Sequence, residues 1–96
     1  MPLFVLTGHD GPQGLERRKE CREAHLANLE PLEAAGRVRF GGPVLDGHGQ
    51  PAGSLVIFEA DSLADARAFA ATDPYVTRGV FATWEVREIR QVFPKS

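Results

Sequence analysis

The chain has 96 residues, 43% hydrophobic and 25% charged, with 11 basic against 13 acidic side chains and a formal net charge of −2. That length fits one domain over residues 1–96 with a thin core, and the near-balanced charge lacks the footprint of a nucleic-acid or anionic-membrane binder. A single cysteine, Cys21, excludes an intrachain disulfide and a cysteine-based metal site.

The first stretch, "PLFVLTG", is a continuous apolar run closed by Gly8, and it reads as a central strand buried on nearly both faces. Its apolar part stops after Leu6 and no basic leader precedes it, which is too short for a signal segment or membrane span and suggests a cytoplasmic protein. "HDGPQG" follows as a loop. A helix is then expected from about Leu15 to Ala35, ended by Gly36 as a C-cap residue. Leu15, Arg22, Leu26, Leu29 and Leu32 keep three- and four-residue spacings, and His25 shares their sector. Pro31 lies inside this pattern and predicts a kink, or two short helices meeting near Asn28 to Glu30.

"RVRFGGPVLD" reads as a strand with an irregular bend at Gly41-Gly42-Pro43, "GHGQPAG" as a hairpin connection, and "SLVIFEA" as the next strand. "DSLADARAFAATDP" is a helix capped by Asp61 or Ser62, with Leu63, Ala66, Phe69 and Ala70 as its apolar stripe and Asp73-Pro74 as its stop. "YVTRGVF" reads as a loop or short extended piece, and "ATWEVREIRQVF" as a last strand ending near Phe93. The order β-α-β-β-α-β is the ferredoxin-like, split βαβ pattern: one antiparallel four-stranded sheet with helices on one face. The opposite face would then carry apolar side chains into water, which predicts a homodimer packed through that face.

Within this frame His25 is either a packed helix histidine or an acid–base group. The second reading needs a partner that orients the imidazole so that its other nitrogen can move a proton. Asp73, leaving the second helix as the chain turns at Pro74, is the best candidate partner. Arg22, three residues before His25, shares its helical face and either forks onto an anionic ligand group or forms an ion pair with Glu33 or Asp73. Ser54 either points its hydroxyl at a ligand or serves the local hairpin backbone. Gly42 and Pro43 let the backbone pass close to a pocket or form a simple bulge. Tyr75 and Trp84 line an apolar pocket or make core or dimer contacts. Adjacent His9 and Asp10 point in different directions, so no metal site is assigned there. His48 reads as a solvated turn residue and Cys21 as structural.

The stretch from Cys21 to Phe81 resembles the YCII-related family of small α+β proteins. The matching features are Arg22 and His25-Leu26, Gly42-Pro43 with Asp46 and Gly49, Gly53-Ser54, Asp73-Pro74-Tyr75, and Gly79. The resemblance implies a dimeric α+β barrel and an active-site His–Asp pair, which falls here on His25 and Asp73. One branch of the family includes an enzyme that removes HCl from a chlorinated hydroxyhydroquinone. Pro31 follows the histidine, whereas many relatives carry a proline just before it, and this affects the tilt expected of His25.

The function this predicts is cofactor-independent acid–base catalysis, a lyase- or isomerase-type elimination or isomerisation of a small cyclic or phenolic acid. His25 and Asp73 would be catalytic, with Arg22, Ser54, Gly42, Pro43 and Tyr75 binding the substrate. The alternative is a dimer that binds or senses a small molecule without turning it over.

Overall fold

A computed structural model describes residues 1–95. The elements run β1 (Leu3–Asp10), α1 (Gly14–Ala34), β2 (Val38–Leu45), β3 (Pro51–Glu59), α2 (Leu63–Ala71), α3 (Pro74–Thr77) and β4 (Phe81–Ile89). All strand pairs are antiparallel, in the order β2-β3-β1-β4. This is the ferredoxin-like α+β arrangement, with β1 and β3 central because their runs are the most apolar.

Alternation along the central strands fixes which face is covered. Phe4 and Leu6 on β1, Val56 and Phe58 on β3 and Val86 on β4 are buried beneath Ala66 and Ala70 of α2, with Leu29 and Leu32 of α1 packed against them. Each large apolar side chain so buried contributes roughly 1.5–3 kcal/mol of transfer free energy. A second cluster of Cys21, Tyr75, Val80 and Phe81 lies beyond it, toward the end of β1 that leads into α1. Gly8 makes this cluster possible, since a Cβ there would stand 2.7 Å from the Phe81 ring.

Several local expectations are corrected. α1 is one continuous helix through Pro31 rather than two pieces. Proline removes only its own N–H bond and crowds the carbonyl four residues back, and the helix continues one turn beyond it. Its end is a Schellman turn: Gly36 (φ +72°) donates to the Glu33 carbonyl at 3.0 Å, and Arg37 donates to Leu32 at 2.9 Å. Asp10 belongs to β1 rather than to the following loop, and β3 starts at Pro51, three residues before Ser54. In β2 the register shifts fall between Val38 and Phe40 and between Val44 and Leu45, not at the glycines. Pro74–Thr77 is a helical turn, not extended chain, because Asp73 and Pro74 together form an N-cap and first-turn pair. β4 ends at Ile89, short of Phe93. Ser62, not Asp61, caps α2, accepting from Asp65 N–H at 3.1 Å.

The buried seam of α1 also differs from the expected stripe. Gly14, Arg18, Cys21 and His25 face inward, while Leu15 and Leu26 are 37% and 44% exposed.

Candidate active site

The seam of α1 carries His25 to the point where α2 gives way to α3. α2 ends because Thr72 caps it, its hydroxyl donating to the Phe69 carbonyl at 2.6 Å. Asp73 then turns the chain, and its Oδ1 accepts the Tyr75 N–H at 2.8 Å. The same Oδ1 lies 2.8 Å from His25 Nδ1. Asp73 is 1% exposed and His25 8%. With Nδ1–H donating to this carboxylate, the tautomer leaves the Nε2 lone pair free to take a proton.

Oδ2 of Asp73 has no hydrogen-bond partner among the described residues. The Tyr75 ring stacks flat on His25, with centroids 3.8 Å apart and planes within 3°. This locks the imidazole plane and presents a π face to its positive form. Phe81 supports Tyr75 edge-on, at 5.9 Å. Burial pushes the Tyr75 phenol above its ordinary pKa, against the opposing pull of Arg18, so Tyr75 stays a neutral donor through the neutral range.

Two turns before His25, Arg18 occupies the same seam. Its Nε donates to Asp10 Oδ2 at 2.6 Å and its Nη2 to Asp10 Oδ1 at 2.8 Å, and Nη2 also donates to the Ser54 hydroxyl at 2.9 Å. The guanidinium lies 4.9 Å from the Tyr75 ring centre. Burial alone would lower its pKa, but Asp10 and then Tyr75 outweigh that, and the net displacement is upward. Both side chains of the pair are more than nine-tenths buried. Removing either one alone would leave an unpaired buried charge, at a cost of about 3–5 kcal/mol.

Arg18, His25, Ser54 and Tyr75 share the wall of a cavity of about 660 Å³ between α1 and the β2–β3 side of the sheet. Gly42 and Pro43 form part of its floor, and Leu26 and Leu29 its apolar side. The structure therefore brings together His25, Asp73, Ser54, Gly42, Pro43 and Tyr75. Arg22 lies on the exposed rim, and among the described residues it has no ion pair with Glu33 or Asp73. Ser54 is served by Arg18 rather than by the hairpin backbone. Trp84 is 38% exposed on β4 and stands outside this cavity. His9 and Asp10 do take opposite faces of β1, and both Asp10 oxygens are bound by Arg18.

Sequence reasoning missed Arg18 and Asp10. Their signal was the four-three-four spacing of Gly14, Arg18, Cys21 and His25, a buried helix face made of small and ionisable residues that a search for apolar stripes passes over.

The fold and site together define a small ferredoxin-like α+β protein with a buried histidine–carboxylate pair at a cavity wall. The comparisons agree and are more specific. The model of the YCII-related domain matches residues 2–90, and the chain belongs to that family. It is 39% identical to protein YciI of Escherichia coli over 97 residues, covering 95% of this chain and 99% of that protein. An uncharacterized protein of Haemophilus influenzae is 38% identical, covering 94% and 98%. Among solved structures, the chain is similar to 5-chloro-2-hydroxyhydroquinone dehydrochlorinase (TftG) from Burkholderia phenoliruptrix, in complex with 2,5-dihydroxybenzoquinone. The TM-score is 0.83 and the identity 34%, covering 93% of this chain and 94% of that one.

Proposed function

We propose that the cavity is the active site of a cofactor-independent acid–base enzyme acting on a small cyclic or phenolic acid, with HCl elimination as the leading reaction and isomerisation as its variant. The observation that carries this reading is the 2.8 Å contact between His25 Nδ1 and Asp73 Oδ1, buried at the wall of a 660 Å³ cavity. His25 Nε2 takes a proton from the substrate while the C–Cl bond breaks, chloride leaving with the bond pair. The electrons released by deprotonation become a new π bond in the product. Asp73 holds the imidazole in the required tautomer and stabilises the imidazolium. Gly42, Pro43, Ser54 and Tyr75 shape the cavity around the ring, and Arg22 supplies positive charge at the rim.

The similarity to TftG supports elimination over other acid–base chemistry. The test is chloride release from 5-chloro-2-hydroxyhydroquinone. His25→Gln should lower turnover by about 10²–10⁴-fold, the usual contribution of a positioned base, with the far-ultraviolet spectrum unchanged. Asp73→Asn, which keeps the cap but removes the charge, should fall between His25→Gln and the natural chain. Equal turnover in His25→Gln would overturn the reading. Tight binding of the ring compound, recovered unchanged after long incubation, would favour a binding or sensing role instead.

The reading includes a homodimer formed through the open face of the sheet. Phe40 and Val44, 52% and 50% exposed, flank partly buried Leu55 and Ile57 there, and Val5 continues the patch on β1.

A further inference from the structure

Arg18 is a cation inside the protein whose hydrogen bonds use only part of its fork. A guanidinium has five N–H donors. Nε and Nη2 are taken by Asp10 and Ser54; the Tyr75 hydroxyl also faces the guanidinium, but among the described residues no acceptor meets Nη1 with hydrogen-bond geometry. Nη1 is also not sealed away: among the described residues, the one fully enclosed side-chain polar atom without a partner is Asp73 Oδ2. Arg18 lines the cavity, so its free donors are reached from there. Burying a guanidinium and leaving two N–H groups unused costs free energy unless something else accepts them. The paired edge fixes the plane of the fork, so the free edge is pre-organised, unlike the long exposed side chains of Lys19 and Arg22 at the rim.

We infer that Arg18 Nη1 is the docking point for a negatively charged or charge-accumulating ring oxygen of the ligand, a phenolate, enolate or quinonoid oxygen, held on the cavity wall that His25 also lines. This rests on the proposed reading of the cavity as a site for a small ring compound, and it names the group that recognises the ring. Asp10 is a positioning residue, because it acts by holding the fork. Ser54 completes that hold. Proton removal by His25 pushes electron density onto the ring oxygens, and a fixed donor with a permanent charge is placed to meet it.

The probe is 2,5-dihydroxybenzoquinone, a planar ring with oxygens of this class, titrated into the full-length chain by calorimetry. Arg18→Lys keeps a positive charge for Asp10 but loses the second edge of the fork. It should bind the probe at least about tenfold more weakly, a loss of the size of one charge-assisted hydrogen bond, with the far-ultraviolet spectrum of the natural chain. A second measurement does not depend on that variant folding. The Arg18 Nε–Hε resonance of the natural chain, held by Asp10, should shift as the probe saturates the site. Equal affinity in a folded Arg18→Lys, a resonance that stays in place, or no binding by the natural chain would each overturn the inference. Chloride release is read separately. If His25→Gln loses turnover while Arg18→Lys binds normally, only the docking point falls. If binding depends on Arg18 but the natural chain releases no chloride, elimination falls and the docking point stands.

Discussion

Oδ1 of Asp73 accepts from His25 and from the Tyr75 backbone, while Oδ2 accepts from nothing among the described residues. One carboxylate thus caps a helical turn and fixes an imidazole, so the residue that stops α2 is also the one that orients His25. Cys21, one turn before His25, gives a residue-scale prediction. It is 2% exposed, its thiol donates to the Arg17 carbonyl at 2.9 Å, and burial, ahead of the opposing pull of Arg78, pushes its pKa up. The folded chain therefore holds the thiol proton more tightly than the unfolded chain does. The associated stability is intact below the unfolded thiol's pKa of about 8.5 and is lost as pH rises from there through the higher folded value. Urea unfolding between pH 7 and pH 9.5 should show this decline, and Cys21→Ala should flatten it. Thiol reagents at pH 8 should react at least about tenfold more slowly with the native chain than with the unfolded one. The His25–Asp73 contact was legible in the sequence because a helix histidine and an Asp-Pro helix stop are both local signals. The Arg18–Asp10 pair was not. It depends on how β1 and α1 are set against each other across the connecting loop, and Asp10 looks like a loop residue until the strand is seen to include it.

α1 illustrates the same division between elements. Its length, its Gly36 ending and its place over the sheet follow from spacing and capping. Its rotation does not, because leucines that line an open cavity keep the same three- and four-residue periodicity as leucines in a core. Leu15 and Leu26 therefore suggested a core stripe, whereas the buried face one position away is Gly14, Arg18, Cys21 and His25. Pro31 misled for a related reason. Its local cost is real, but it sits near the last turn, where packing of Leu29 and Leu32 against the core holds the helix together. That cost should be recoverable. Pro31→Ala restores a donor to the Ala27 carbonyl and removes the ring's clash, and should raise the free energy of unfolding by about 1–3 kcal/mol in urea titrations. A fall in stability would mean that contacts of the proline ring outweigh the missing bond.

For the molecule as a whole, the β-α-β-β-α-β order was readable from periodicity and turn residues alone, and it implied two unlike faces for the sheet. One is closed by the helices. The other has Val5, Leu55 and Ile57 in its middle, with Phe40 and Val44 more than or about half exposed at its β2 side. A chain this short has little apolar surface to spare. An interface of ordinary size hides roughly 800 Å² per partner from a total surface of 6204 Å², enough to cover such a patch. The proposed dimer makes a specific demand of Phe40. On an edge strand and largely outside the core of its own chain, Phe40 should tolerate substitution in the monomer, with a change within about 0.5 kcal/mol, as for other surface sites. A lysine on the β2 side of a self-matching apolar contact would instead carry a charge into it, where desolvation of the ammonium and lost apolar area both oppose association. Sedimentation should therefore find the natural chain at twice the mass of Phe40→Lys at micromolar concentration, with the variant folded and the natural chain's melting temperature rising with concentration as the variant's does not. A natural chain that sediments as a monomer would leave this face exposed and would refute the assembly.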